Sequence, residues 1–179
     1  MNLKGSKTEQ NLMEAFAGES KARNKYTFYS KQAAKDGYEH ISRIFEETAN
    51  NEKAHAKIWF KLLNGGDISN TVSNLEDAVK SEHYEWTEMY ANFAKEARAE
   101  GFEDIATLFE LVATVEKTHN ERYQKILDAI NQNKVFSRPA PTKWECTNCG
   151  YTYTGEKALD ICPVCAHPKG FFMIKCENC

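Results

Sequence analysis

Glu52-Lys53-Ala54-His55 and Glu116-Lys117-Thr118-His119 are two copies of one four-residue pattern, 64 positions apart. Each lies in a stretch with the apolar spacing of an amphipathic helix. Residues i and i+3 leave a helix from the same face, so each copy offers one carboxylate and one imidazole to the same point. In both stretches that face is the apolar one. Ile41, Ile44, Phe45, Trp59 and Leu62 accompany the first, and Ile105, Leu108, Phe109, Tyr123 and Ile126 the second. Charges on a core-facing stripe are costly unless something compensates them, and a metal ion is the simplest compensation. The two copies predict a helical bundle built to hold two metals.

The repeat extends outward from these motifs. Residues 36–59 align without a gap onto residues 100–123, pairing Gly37 with Gly101, Ile41 with Ile105, Phe45 with Phe109, Ala49 with Ala113, Glu52 with Glu116 and His55 with His119. Duplication of a helical hairpin accounts for this and implies a pseudo-twofold bundle with one ligand set in each half. Four helices are expected. The first begins near Ser6, with Glu9 three residues on as a capping box, and stops at Gly37. The second ends at Gly65-Gly66. The third starts after Ser73 and ends at Gly101, and the fourth runs to about Ile130. The connection between the second and third is the longest and is expected to cross the bundle. Upstream the repeat slips: Glu19 matches Glu82 at 63 positions, whereas Tyr26 matches Tyr90 at 64. One extra residue is what a π-helical turn requires, so such a turn is expected between Glu82 and Tyr90.

The ionisable residues on the four apolar faces are Glu19, Glu52, His55, Glu82, Glu116 and His119, with Glu85 as a seventh. Taken singly, each Glu reads as an ordinary solvated charge. Taken together, four helices each place a carboxylate near mid-length on the core side, and carboxylates converging without cations would repel. One Glu from each of two helices and Glu-x-x-His from the other two is the ligand pattern of ferritin-like di-metal carboxylate proteins. Hard oxygen donors with some imidazole suit iron or manganese. Glu85 is a surplus ligand, which lets one metal exchange partners: Glu85 is expected to hold it when oxidised and His55 when reduced.

The chain has 179 residues, 41% of them hydrophobic and 27% charged, with a net charge of −3. That balance lacks the basic excess of a nucleic-acid binder. There is no apolar run of about 18 residues for a membrane span, and residues 1–10 lack the apolar stretch of a signal peptide; a cytoplasmic location is the expectation. All six Cys and all four Pro lie after residue 138. Arg138-Pro139-Ala140-Pro141 reads as a stiff linker, which divides the chain into a helical domain, 1–138, and a small domain, 139–179. Cys146-x-x-Cys149 and Cys162-x-x-Cys165 are two knuckles that can close a tetrahedral four-thiolate site. Zinc and iron both use this spacing, and a neighbouring redox site that needs electrons favours iron. Trp144, Tyr151, Tyr153, Phe171 and Phe172 read as the small core around it, and His167 as a neighbour of the site or a surface turn residue. Cys176 and Cys179 have no partner pair and receive no role.

With these motifs in order, the chain closely resembles the rubrerythrin family. The resemblance covers nearly the full length and rests on Ala17-Gly18-Glu19-Ser20-Lys21-Ala22, the two Glu-x-x-His motifs, Glu82-His83-Tyr84-Glu85-Trp86-Thr87, and Trp144-Glu145-Cys146 through Cys165-Ala166-His167-Pro168. It implies an all-α ferritin-like four-helix bundle with a long crossover, followed by a rubredoxin-like domain. It implies a non-haem di-iron peroxidase that reduces hydrogen peroxide to water and protects against oxidative stress. Electrons would arrive from NAD(P)H, through a separate reductase or rubredoxin and then the four-cysteine iron. It also implies a head-to-tail homodimer, and roles for Tyr26 and Tyr90 as hydrogen-bond partners of the ligand carboxylates. The terminal Cys176/Cys179 pair departs from the family pattern. Two other readings compete. A ferritin-like ferroxidase would need the bundle alone, and a scaffold with zinc throughout would use both sites structurally.

Overall fold

The computed structural model describes residues 3–176. The chain divides into two compact units that meet in sequence between Asn70 and Thr71.

The first unit is a hairpin of two helices, α1 (Lys7–Lys35) and α2 (Glu39–Leu63). The expected capping box at the start of α1 is formed in one direction: Ser6 Oγ accepts from the Glu9 N–H at 3.1 Å, while the Glu9 carboxylate reaches back past the cap to the Gly5 N–H at 2.6 Å. At the far end the Tyr38 N–H bonds the Ala33 carbonyl and the Gly37 N–H bonds that of Ala34. These bonds close α1 on a left-handed glycine and turn the chain into α2. Small residues sit where the two helices touch: Ser30, Ala33, Ser42, Ala49 and Ala56 are buried. The Ser30 and Ser42 hydroxyls satisfy each other at 3.0 Å. Tyr26, Tyr29 and Phe45 pack as one aromatic cluster.

The second unit repeats the hairpin. Helix α3 (Thr71–Tyr84) leads through a π-helical turn, Glu85–Met89, into α4 (Tyr90–Ala99), and α5 (Glu103–Asn131) returns. The expected π-turn is therefore present, with the Tyr90 N–H bonded to the Glu85 carbonyl five residues back. Helix α3 begins at Thr71, three residues ahead of the expected start after Ser73. Ala94, Ala97 and Ala106 are buried against Phe109, so α4 and α5 meet through small side chains as α1 and α2 do. The repeat carries over to the turn, where the Phe102 N–H bonds the Ala97 carbonyl.

A three-stranded antiparallel sheet follows, in the order β2-β1-β3, from β1 (Ser137–Cys146), β2 (Thr152–Lys157) and β3 (Phe172–Ile174). Arg138-Pro139-Ala140-Pro141, expected as a linker, lies inside β1. The register of β1 on β2 breaks between Ser137 and Thr142, so the prolines, which lack an N–H, occupy a bulge rather than the ladder. Trp144, Cys146, Ala158, Cys162 and Phe172 are the buried core of this region. The Trp144 indole donates to the Gly155 carbonyl at 3.0 Å.

Candidate metal centres

Among the described residues, three groups of side chains converge closely enough to hold a metal ion. Within each, one donor atom per residue lies within 4.8 Å of every other. They are Glu19, Glu52 and His55; Glu82, Glu116 and His119; and Cys146, Cys149, Cys162 and Cys165.

The two carboxylate groups have the same geometry. In the first unit His55 Nδ1 lies 2.9 Å from Glu52 Oε2 and 3.8 Å from Glu19 Oε1. In the second, His119 Nδ1 lies 2.8 Å from Glu116 Oε2 and 3.6 Å from Glu82 Oε2. The sequence repeat therefore reappears as a repeat of ligand geometry to within 0.2 Å. The i, i+3 spacing sets the short contact, and the neighbouring helix supplies the third donor. Donors about 2.1 Å from one ion stand about 3.0–3.4 Å apart; the short edges lie just under that range and the long ones a few tenths of an ångström above it, so small side-chain shifts would close each group on a single metal with oxygen and nitrogen ligands. Burial raises the proton affinity of Glu82 above the ordinary carboxylate range. The charge of Glu116 and a hydrogen bond with it add to this, while His119 opposes it. Two carboxylates forced together in this way are the electrostatic signature of a site made for a cation.

Glu85 belongs to neither group. It is half-buried at the start of the π-turn, and its charge adds to the raised proton affinity of both Glu82 and Tyr90. The Tyr90 hydroxyl keeps its proton beyond the usual phenol range, first because of burial and then because Glu85, Glu116 and Glu82 disfavour a phenolate. Its ring packs on Phe93 and Phe109, as the ring of Tyr26 packs on Phe45. Sequence reasoning missed one feature: the indole N–H groups of Trp59 and Trp86 are buried without a hydrogen-bond acceptor among the described residues. An unpaired buried donor costs about 1–3 kcal/mol. Each stands next to ligand positions, Trp59 one turn beyond His55 and Trp86 beside Glu85.

The four cysteines form two matching knuckles. The Gly150 N–H bonds the Cys146 carbonyl at 2.8 Å, and the Ala166 N–H bonds the Cys162 carbonyl at 2.9 Å. Both turns need a left-handed residue, with φ of 76° at Gly150 and 57° at Ala166. Glycine adopts this freely and alanine does so at a cost. Across the knuckles Cys146 Sγ lies 3.7 Å from Cys165 Sγ, and Cys149 Sγ lies 3.6 Å from Cys162 Sγ. A tetrahedral metal with bonds of about 2.3 Å requires sulfurs about 3.8 Å apart, so the set fits one ion. The His167 backbone N–H stabilises the Cys165 thiolate and helps bring that thiol down to about 6. At Cys149 the Tyr151 N–H acts in the same direction. There burial and hydrogen bonds with the other three cysteines outweigh it and push the thiol up to about 12. His167 also places Nδ1 3.1 Å from the Cys165 carbonyl and stacks edge-on against Phe171. Cys176 is disulfide-bonded, and Cys179 lies outside the described residues.

The chain is similar to known proteins over nearly its full length. The family model described as Rubrerythrin matches residues 10–127 and 73–150, and the one described as Rubrerythrin, rubredoxin-like domain matches residues 144–173. Rubrerythrin-1 of Clostridium acetobutylicum is 47% identical over 99% of this chain and 98% of its own. Rubrerythrin of Nitratidesulfovibrio vulgaris is 47% identical over 96% of this chain and 95% of its own. A solved structure, the partially reduced state of nigerythrin, aligns over 97% of this chain and 91% of its own with 30% identity and a TM-score of 0.37. The cofactors that fit are iron: a di-iron carboxylate pair for the Glu/His groups and a further iron for the four thiolates. No helix is long and apolar enough to cross a membrane among the described residues. On the family-model match and the near full-length identity, the chain belongs to the rubrerythrin family, whose members are generally oxidoreductases with links to oxidative stress.

Proposed function

We propose that this protein is a non-haem di-iron peroxidase that reduces hydrogen peroxide to water in the cytoplasm, with electrons entering through the four-cysteine iron. Residues 1–138 would form the di-iron domain and residues 139–179 the electron-entry domain. The observation that carries this reading is the presence, in one chain, of two carboxylate–histidine groups and a separate four-thiolate group. A carboxylate-bound pair suits two-electron chemistry on an oxygen substrate. A thiolate site with no open position suits one-electron delivery.

Bound iron supplies the redox equivalents, two electrons that with two protons turn one peroxide into two waters. The residues of the chain hold and orient. Glu19, Glu52 and His55 would hold one ion, and Glu82, Glu116 and His119 the other. Glu85 would stand in for His55 when the oxidised metal prefers a charged oxygen donor. The Tyr90 hydroxyl, which retains its proton, is a hydrogen-bond donor toward ligand carboxylates, and Tyr26 has the equivalent part in the other half. The physiological donor would be an NAD(P)H-linked reductase or a rubredoxin. A head-to-tail pair of chains would bring the thiolate iron of one near the di-iron centre of its partner.

The test is anaerobic rapid mixing of the fully reduced protein with hydrogen peroxide, followed by turnover with a reductase and NADH. Stoichiometric peroxide loss coupled to NADH oxidation supports the peroxidase. Faster oxidation of added ferrous ion, with ferric ion retained and no dependence on the donor, would establish the ferroxidase reading instead.

A further inference from the structure

The metal-holding groups use four of the six cysteines in the chain. Those four, Cys146, Cys149, Cys162 and Cys165, are free thiols. Cys176 is disulfide-bonded, and Cys179 is the one cysteine of the sequence left to pair with it. We propose that Cys176 and Cys179 form a reversible dithiol–disulfide couple, a redox site apart from the metal centres whose substrates are external thiols and disulfides. This couple is independent of the peroxidase reading.

A structural bridge would be placed differently. A disulfide stabilises a fold mainly by closing a loop in the unfolded chain, and the effect grows with loop length. A bridge from Cys176 to Cys179 closes a loop of only four residues, at the bottom of that scale. Strand β3 is also held without it. The Lys175 N–H bonds the Lys143 carbonyl at 2.8 Å, and the Lys175 ammonium pairs with Glu145 at 3.3 Å. Behind these contacts, Ile174 pairs with Trp144 and Phe172 with Cys146. The chain is thus fixed on β1 up to the residue before Cys176. Trp144, Cys146, Ala158, Cys162 and Phe172 are the buried core of this region, whereas Cys176 is exposed.

A fifth metal ligand would also be placed differently. Phe172 is the residue paired with Cys146, and Cys176 lies four residues further on. At about 3.3 Å per residue in an extended chain, that is about 13 Å from Cys146. A thiolate ligand must come within about 2.3 Å of its ion, so the reduced pair does not compete for the metal of the four thiolates. Thiol–disulfide exchange remains. Exposure of Cys176 gives an attacking thiolate access, and Cys-x-x-Cys is the spacing that lowers thiol proton affinity in disulfide oxidoreductases.

In the reducing direction an external thiolate attacks Cys176 Sγ. The bond to Cys179 breaks, and Cys179 leaves as a thiolate that takes a proton from water. A second external thiolate attacks the external sulfur of the mixed disulfide and releases Cys176, which takes the second proton. The bridge gains two electrons and two protons, and two external thiols become one disulfide. The same steps in reverse close the bridge.

The test equilibrates the full-length iron-loaded protein anaerobically with graded mixtures of reduced and oxidised glutathione, traps free thiols by alkylation, and reads the peptide holding residues 176–179 by mass spectrometry. Iron content and the visible spectrum come from the same samples. The expected result is one transition, reached from either direction, with iron and spectrum unchanged. It should run from about one-tenth to about nine-tenths doubly alkylated across about a hundredfold change in squared reduced over oxidised glutathione, as a two-electron couple requires. Cys179→Ser should instead accumulate Cys176 as a mixed disulfide with glutathione, because the resolving thiol is gone. Equal urea midpoints for oxidised and reduced protein are expected of a bridge that holds no fold. A bridge that persists in reduced glutathione alone, or a urea midpoint that falls on reduction, makes the bond structural and overturns the couple. Cys176 joined to a second chain, or two free thiols in fully oxidised glutathione, overturns it as well.

Discussion

Replacing Glu82 by Gln is expected to stabilise the metal-free protein at neutral pH while emptying its centre of metal. Glu82 and Glu116 hold carboxylate oxygens within 4.8 Å of each other, with side chains only 20% and 15% exposed. Two full charges at that separation repel by about 3.5 kcal/mol at an effective dielectric constant of about 20. Attraction to His119 and residual solvent leave about 2 kcal/mol to be recovered by the neutral amide. For a chain of this size that is a rise of about 4–8 °C in Tm. The pH dependence has a definite sign. Burial, then the charge of Glu116, raise Glu82 above its unfolded proton affinity. Stability linked to the bound proton is therefore full below the ordinary carboxylate range and is lost as pH rises through the raised value. The gap between Glu82→Gln and the parent should open over that interval and close below it. Calorimetry of both metal-free proteins from acid to neutral pH reads this directly. Adding ferrous ion should reverse the order, since only the parent keeps all donors. Equal or lower stability of metal-free Glu82→Gln at neutral pH would refute the idea that the carboxylates are held apart from equilibrium for a cation.

Cys162→Ser should abolish the thiolate–iron colour and donor-coupled turnover, yet leave a single peroxide-driven oxidation of the pre-reduced bundle; visible spectra and rapid mixing separate the two. Glu110→Gln should weaken the link between α4 and α5, because Arg98 holds Glu110 by two hydrogen bonds and lowers its proton affinity. That loss should be present above the ordinary carboxylate range and vanish as pH falls through the depressed value, read from urea midpoints across pH. Trp144→Phe keeps the buried ring but removes the bond to the Gly155 carbonyl, and should cost about 1–2 kcal/mol in urea melts.

The grouping of the candidate donors was legible because metal chemistry restricts both residue type and spacing: Glu-x-x-His on a helix and paired Cys-x-x-Cys knuckles leave few alternatives. The π-turn was legible for a different reason. The duplication supplied an internal reference, so one extra residue between Glu82 and Tyr90 showed as a slip in register. Pro139 and Pro141 lie within β1 where its register breaks, which sequence does not distinguish from a tether, because a proline pair looks the same in both until the pairing partner is known. Ala166 hid its left-handed turn, since only the symmetry with Gly150 reveals it. Glu85 carries a signal of chemistry in its position beside Glu82, but its distance from both ligand groups depends on how the π-turn aims it. The unpaired indoles of Trp59 and Trp86 could not be read from sequence at all, because an aromatic on an apolar stripe reads as core.

The account stands on Glu19, Glu52, His55, Glu82, Glu116 and His119 being the ligands of two irons. Diffraction data collected on either side of the iron absorption edge, from crystals of protein grown with iron, test this most directly. The expected map has two anomalous peaks bonded to those side chains and a third among Cys146, Cys149, Cys162 and Cys165. A map with the thiolate peak alone, in fully iron-supplied protein, would contradict it.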